Sequence, residues 1–258
     1  MVHLSVYAPE NLPEIERGDS IAERILTSLA DFPLQTGDII AISHKVVSKA
    51  ESRMFDLREI TPSPKAVQYG VLLGKEPALI QLILNESEEV LWAERANGPM
   101  ICRHHRGFVC ANAAVDCSNT KPGHAVTLPL DPDLSAAQIR GEIERRLNIR
   151  IGTIICDTHG RSFRNGACGI AVGASGIVAL KSYIGKKDRV GRVMESSVEC
   201  YADELAAAAT LVMGQGDEGR PIAIIRGFQG TIGEQSAKEI IRQQETDIFL
   251  QALQKTRK

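Results

Sequence analysis

The densest set of chemically capable side chains in this chain of 258 residues is Asp157-Thr158-His159-Gly160-Arg161-Ser162-Phe163-Arg164-Asn165-Gly166. Asp157 and Thr158 offer hard oxygens suited to Mg²⁺ or Mn²⁺, and the paired arginines suit phosphate or carboxylate oxygens through bidentate hydrogen bonds. A turn with solvated arginines is the competing interpretation. A second hard-oxygen group lies upstream in Asn112-Ala113-Ala114-Val115-Asp116-Cys117-Ser118-Asn119, where Asp116 and Asn119 share a polar turn. An Asx-turn explains that spacing as well as a metal site does. Brought together, however, the two groups would make a two-metal phosphate clamp.

Lys45 and Lys49, within the polar segment Ser43-His44-Lys45-Val46-Val47-Ser48-Lys49, could supply the positive charge such a clamp needs, with solvated surface lysines as the alternative. Gly214-Gln215-Gly216-Asp217-Glu218-Gly219 satisfies G-x-G-x-x-G, but a dinucleotide fingerprint needs a strand before the glycines and a helix after them. Here the expected order is helix, glycines, strand, which excludes a dinucleotide-binding turn. A loop able to bring backbone N–H groups to a phosphate and a plain helix C-cap remain equally open. The histidines show no metal-binding spacing on a helix, and neither G-x-S-x-G nor a phosphate-binding G-x-x-x-x-G-K-[ST] occurs.

The composition is that of a globular chain: 43% apolar, 24% charged, with 30 basic and 32 acidic residues giving a net charge of −2. Disordered and fibrous classes are excluded, and without a basic stripe no nucleic-acid partner is expected. No apolar run approaches the roughly 20 residues needed to cross a bilayer, and the first residues lack the pattern of a signal peptide. We therefore expect no membrane association and a cytoplasmic location. Six cysteines without a Cys-x-x-Cys pair are expected to be reduced thiols.

The elements that must position these residues follow from pattern. His3 to Tyr7 alternates like a strand, and Ser20-x-x-Glu23 caps a helix with Ile21, Ile25 and Leu29 on one face. Asp38 to Ser43 and Arg150 to Ile155 read as buried strands, with Asp157 and Thr158 just past the second. Helices are expected from Ser63 to Leu73, Pro77 to Leu84, Ser135 to Leu147, Ser197 to Met213 and Gly233 to Leu253, with strands at Glu89 to Trp92 and Ile222 to Ile225 and a hairpin pattern from Met100. This irregular mixture predicts an α+β fold of mixed sheets with flanking helices, a single domain over residues 1–258 with a smaller subdomain around 70–130.

Leu12-Pro13-Glu14-Ile15, Ser48-Lys49-Ala50-Glu51, the Ala111 to Asn119 segment, Asp157-Thr158-His159-Gly160-Arg161, and Ala202-Asp203-Glu204-Leu205 through Met213-Gly214 together resemble one family in order and spacing. It is the coenzyme F420-0:L-glutamate ligase family, and the likeness runs from about residue 5 to 228. The resemblance implies an intertwined α+β homodimer that uses GTP and divalent metal, Mg²⁺ or Mn²⁺ at two sites, with potassium as a further cation, to add L-glutamate to the deazaflavin precursor F420-0. It implies a nucleotide site of Leu12, Pro13, Glu14, Ile15, His44, Lys45, Lys49, Asn119 and the loop Met213, Gly214, Gln215, Gly216, Asp217, Glu218, Gly219 and Arg220. Asp116 and Asp157 match the family's first metal position, Thr158 and Gln215 its second.

To these the chemistry adds Lys49 beside the transferred phosphoryl group, and Arg161 or Arg164 as holders of substrate carboxylates. A metal-dependent phosphatase or kinase acting on a small carboxylate, and a non-catalytic nucleotide-binding relative, use the same side chains and are the competing functions.

Overall fold

The structure is a computed structural model and describes residues 1–10, 12–230 and 233–255. After β1 (Ser5–Tyr7), Ser20 caps α1 (Ile21–Ser28), its hydroxyl accepting from the Glu23 N–H at 3.2 Å as the sequence predicts. β2 (Ile39–Ser43) runs directly into α2 (His44–Ala50), so the polar segment with both lysines is a short helix. β3 (Met54–Asp56) precedes α3 (Pro64–Leu73) and α4 (Pro77–Asn85), both opening on proline, where the missing N–H costs nothing. Three short strands follow, β4 (Ser87–Trp92), β5 (Ile101–His104) and β6 (Val109–Ala111), then β7 (His124–Val126) and α5 (Pro132–Leu147). Next come β8 (Gly152–Arg161), β9 (Arg164–Ser175), β10 (Leu180–Ser182), β11 (Val198–Cys200), α6 (Tyr201–Met213), β12 (Ile222–Arg226) and α7 (Ile248–Lys255).

The central sheet has the order β1-β12-β2-β8-β9, antiparallel except for the parallel β2–β8 pair. Because strand side chains alternate, consecutive residues serve opposite faces. Ile40, Ile42, Ile155, Ile222 and Ile224 join α1 and α5 in one core, while Ile39, Ala41, Ile154, Ala223 and Ile225 join α6 in another. The helix α6 lies close on the sheet because of Gly169 in β9, where a Cβ would stand 2.6 Å from the Ala206 carbonyl oxygen. A third core, around Leu73, Ile80, Ile83, Met100 and Cys102, belongs to α3, α4 and the β4-β5-β6 sheet. The mixed α+β class is the expected one.

Several boundaries differ from expectation. The segment after Ile155 is not a loop: β8 continues through Asp157 and Thr158 to Arg161, paired in register with β9 (Asp157↔Ile170, Thr158↔Gly169), and only Ser162 and Phe163 turn. Asp131, not Ser135, caps α5, accepting from the Leu134 N–H at 3.1 Å, while Ser135 lies inside the helix with its hydroxyl on Glu51. Residues 198–200 pair as β11 instead of opening α6. The single terminal helix gives way to a 3-10 turn, Ala237–Ile240, and α7, each with its own N-terminal cap, Ser236 and Asp247. All six cysteines are free, and among the described residues no helix is long and apolar enough to cross a membrane.

Candidate active site

A cleft of about 630 Å³ opens at the end of the central sheet where β2 passes into α2 and β8 carries Asp157. Its walls come from six separate stretches: Leu12, Pro13, Glu14 and Ile15; Ser43 to Val46 with Lys49; Asp116, Ser118 and Asn119; Cys156, Asp157 and Thr158; Ala167; and Thr210 with the loop from Met213 to Pro221. The parallel pairing of Ser43 with Cys156 places the start of α2 beside Asp157.

Asp157 is held between two imidazoles. Its Oδ2 lies 2.9 Å from His159 Nε2, and its Oδ1 is 3.4 Å from His44 Nε2 and accepts the Thr158 N–H at 2.7 Å. Burial works to raise its pKa, but the His44 and His159 imidazoles and the Thr158 N–H outweigh it and hold the carboxyl ionised, at about 2. His44 is only 1% exposed, and burial presses it toward the neutral ring, against the pull of Asp157. Its Nε2 is buried without a hydrogen-bond partner.

Asp116 stands on the neighbouring turn. Its Oδ2 is 2.7 Å from Lys45 Nζ, and its carboxylate accepts the backbone N–H and hydroxyl of Ser118 at 2.6 and 3.0 Å. Burial opposes ionisation here too, and the Lys45 and Ser118 bonds prevail, lowering the pKa. Before this turn Asn112, Ala113 and Ala114 take φ of 53°, 50° and 58° in succession. Left-handed dihedrals at non-glycine residues cost of order 1–3 kcal/mol each and recur at functional sites. Lys49 reaches Glu14 Oε1 at 2.5 Å, tying α2 to the first wall.

The glycine loop continues α6. Gly214 has φ 76° and ψ −175°, a region open in practice to glycine alone, and a Cβ there would overlap the Glu218 carboxylate. The Glu218 carboxylate accepts the Gly216 N–H at 2.7 Å, and backbone N–H groups within the loop lower its pKa. Asn119 Nδ2 donates to the Gly216 carbonyl at 3.1 Å, joining the loop to the Asp116 turn.

All the residues that the resemblance assigns to nucleotide and metal therefore line this one cleft. Arg161 and Arg164 do not. They flank the Ser162-Phe163 turn, exposed, with Arg161 Nη2 on the Asn165 carbonyl at 3.2 Å, because the strand they end carries them past the cleft. Ser118 and His159 were not marked as contributors by the sequence. Their signal was position: Ser118 two residues beyond Asp116 in a side-chain-closed turn, His159 two residues beyond Asp157 on the same strand face.

Divalent cations fit this chemistry. Two ionised carboxylates, a hydroxyl and an amide oxygen are hard donors, and Mg²⁺ in particular is usually held by one or two carboxylates together with substrate phosphates. Among the described residues no three His, Cys, Asp or Glu side chains group as a metal shell.

A family model described as F420-0:Gamma-glutamyl ligase matches residues 10–227, the span that contains every wall of the cleft. The chain belongs to that family. Among its curated relatives, the coenzyme F420:L-glutamate ligase of Archaeoglobus fulgidus is 41% identical, with 98% of this chain and 99% of the relative covered. The proteins of the same name from Methanopyrus kandleri and Methanococcus maripaludis are 42% and 44% identical, covering 92% and 89% of this chain and 93% and 90% of their own. For a member of the F420-0:gamma-glutamyl ligase family, the cleft is where its chemistry is to be sought.

Proposed function

We propose that the chain is a GTP-dependent ligase that joins L-glutamate to coenzyme F420-0, first by an amide bond and then through γ-linked glutamates. The observation that carries this is the cleft itself: Asp116 and Asp157, distant in sequence, face one space with Lys45, Lys49 and a glycine loop. That is the equipment for a triphosphate whose γ-phosphoryl group is to be moved. The curated relatives named as F420:L-glutamate ligases support the choice of substrates.

In this mechanism Leu12 and Pro13 give the nucleotide an apolar wall, and the backbone N–H groups from Gly214 to Arg220 hold its phosphates, as glycine-rich turns do. Asp116 with Asp157, and Thr158 with Gln215, would hold two divalent cations, which would supply positive charge against the phosphates. Gln215 brings a neutral amide oxygen, a weaker ligand than a carboxylate.

A carboxylate is a poor electrophile, so its oxygen first attacks the γ-phosphorus, the bond to the β–γ bridging oxygen breaks, and GDP leaves an acyl phosphate. The glutamate amine then attacks the acyl carbon, loses a proton and expels inorganic phosphate. Lys45 and Lys49 hold the phosphoryl oxygens, and His159 and the Thr158 N–H fix the direction of the Asp157 carboxylate. Arg161 and Arg164 lie exposed outside this cleft. A homodimer belongs to the same proposal.

Incubation with GTP, Mn²⁺, a potassium buffer, L-glutamate and F420-0, read by mass spectrometry, tests the reaction. A ladder of glutamate additions with GDP is the expected product. Phosphate release without a ladder would establish a phosphatase instead, and no turnover would leave only a nucleotide-binding protein.

A further inference from the structure

Behind the Asp157–His159 pair lies a second cavity of about 330 Å³, and it carries an inference of its own. Its walls include Arg103, Phe108, His159, Ile170, Asp203 and Leu250. His159 lines it while the same ring touches Asp157, which lines the cleft, so one imidazole–carboxylate pair partitions the two spaces. The far side is closed by residues 240–250, beyond the span matched by the family model.

Arg103 is the notable group. Its side chain is 12% exposed; Nη1 donates to Gln244 Oε1 at 2.9 Å, and Nη2 is buried without a hydrogen bond, 3.5 Å from Glu89 Oε2. Nη2 is turned to the Glu89 carboxylate, so it is the remaining exposed part of the guanidinium that a ligand carboxylate on the cavity side would meet. Asp203, also on the wall, uses Oδ1 to accept the Ala171 N–H at 2.9 Å and brings negative charge within reach of an ammonium group. The cavity thus sets cationic Arg103 and Arg242 and acidic Asp203, Glu88 and Asp247 around an apolar floor of Phe108, Ile170 and Leu250.

We propose that this cavity binds the amino-acid co-substrate, resting on the ligase function above, with Arg103 taking a carboxylate and the ammonium group lying toward Asp203 and His159. The size agrees: small-molecule sites run from roughly 300 to 1,000 Å³, so 330 Å³ suits a single amino acid and not a deazaflavin nucleotide. Nucleotide and acceptor would occupy the cleft, and the amine donor would lie on the far side of the Asp157–His159 pair with its amine directed to the boundary where the two spaces meet.

The test uses the full-length protein with GTP and Mn²⁺, measuring L-glutamate binding by calorimetry and KM for glutamate and GTP by kinetics. Arg103→Met and Gln244→Glu, the latter placing a competing carboxylate on Arg103, should each raise the dissociation constant and KM for glutamate about tenfold or more. GTP affinity should stay unchanged, and Arg103→Lys should recover part of the loss. Glutarate, which lacks the amine, should bind more weakly than L-glutamate. Unchanged glutamate binding in both folded variants overturns the proposal while leaving the ligase function intact. Wild-type protein that binds glutamate but never ligates it supports the cavity and overturns the ligase function; wild-type protein that neither binds nor ligates glutamate overturns both.

Discussion

Lys45 reaches from α2 across to Asp116, with Nζ 2.7 Å from Oδ2 and 2.5 Å from the Ser118 hydroxyl. Both partners are partly open to water, 20% and 36% exposed, so solvent screens the pair and it adds little to stability. Its value is in position, because a phosphate entering the cleft meets a cation already aimed. Lys45→Met should raise KM for GTP about tenfold and change the unfolding free energy by no more than about 1 kcal/mol. Steady-state kinetics beside urea melts check both halves.

Gly214→Ala tests the loop. The φ of 76° with extended ψ strains any residue but glycine, and the Glu218 carboxylate, with its bond to the Gly216 N–H, must swing aside to admit a methyl group. Strain of about 1–3 kcal/mol at this position should weaken GTP binding by about tenfold to a hundredfold in calorimetry. Far-ultraviolet circular dichroism should remain that of the wild type, since the sheet and α6 are untouched.

At the other end of the sheet, Arg226 grips Asp38 with Nε at 2.8 Å and Nη2 at 2.7 Å, and Asp38 is 1% exposed. Asp38 precedes β2 and Arg226 ends β12, so the pair closes the edge opposite the cleft. Removing the carboxylate strips the guanidinium of its counter-charge, leaving it the Pro33 carbonyl at 3.0 Å and the Phe32 ring. Asp38→Ala should cost about 3–5 kcal/mol in chemical denaturation and leave KM values unchanged at temperatures where the protein stays folded.

Glu86 links stability to pH. Burial works to raise its pKa, but the His104 ring and the Arg53 guanidinium, 2.7 Å away, more than compensate and hold it below the ordinary carboxylate value. A lowered pKa in the folded state means this contribution is complete above the unfolded pKa and is lost as pH falls through the folded one. Melting temperature should therefore drop on acidification below the usual carboxylate range. In Glu86→Gln the curve should start lower at pH 7 and fall less steeply, which a thermal series from pH 7 to pH 3 will read.

The sequence exposed the chemistry of the site more fully than its local geometry. Ser20, Ser63 and the prolines Pro64 and Pro77 marked helix starts correctly because caps act within one turn. Asp157 and Thr158 looked like loop residues because Gly160, Asn165 and Gly166 surround them, yet pairing with β9 made a strand of that stretch, a long-range fact no window reveals. The seven residues of α2 are too few to show a helical period. Asp131-Pro132 outcompeted Ser135 as the start of α5, combining an Asx cap with proline at the first turn. Arg161 and Arg164 were grouped with Asp157 by proximity in sequence, and a rise of about 3.3 Å per strand residue carries them away from it.

The central claim is that Asp116 and Asp157 together hold divalent metal against the phosphates of a nucleotide. Electron paramagnetic resonance titration of Mn²⁺ into the protein with GTP, compared with Asp116→Asn and Asp157→Asn, addresses it without any turnover. The account predicts GTP-dependent Mn²⁺ binding in the wild type and its loss in each variant, with melting temperatures that still report a folded chain. Mn²⁺ affinity that survives both substitutions in folded protein would contradict it.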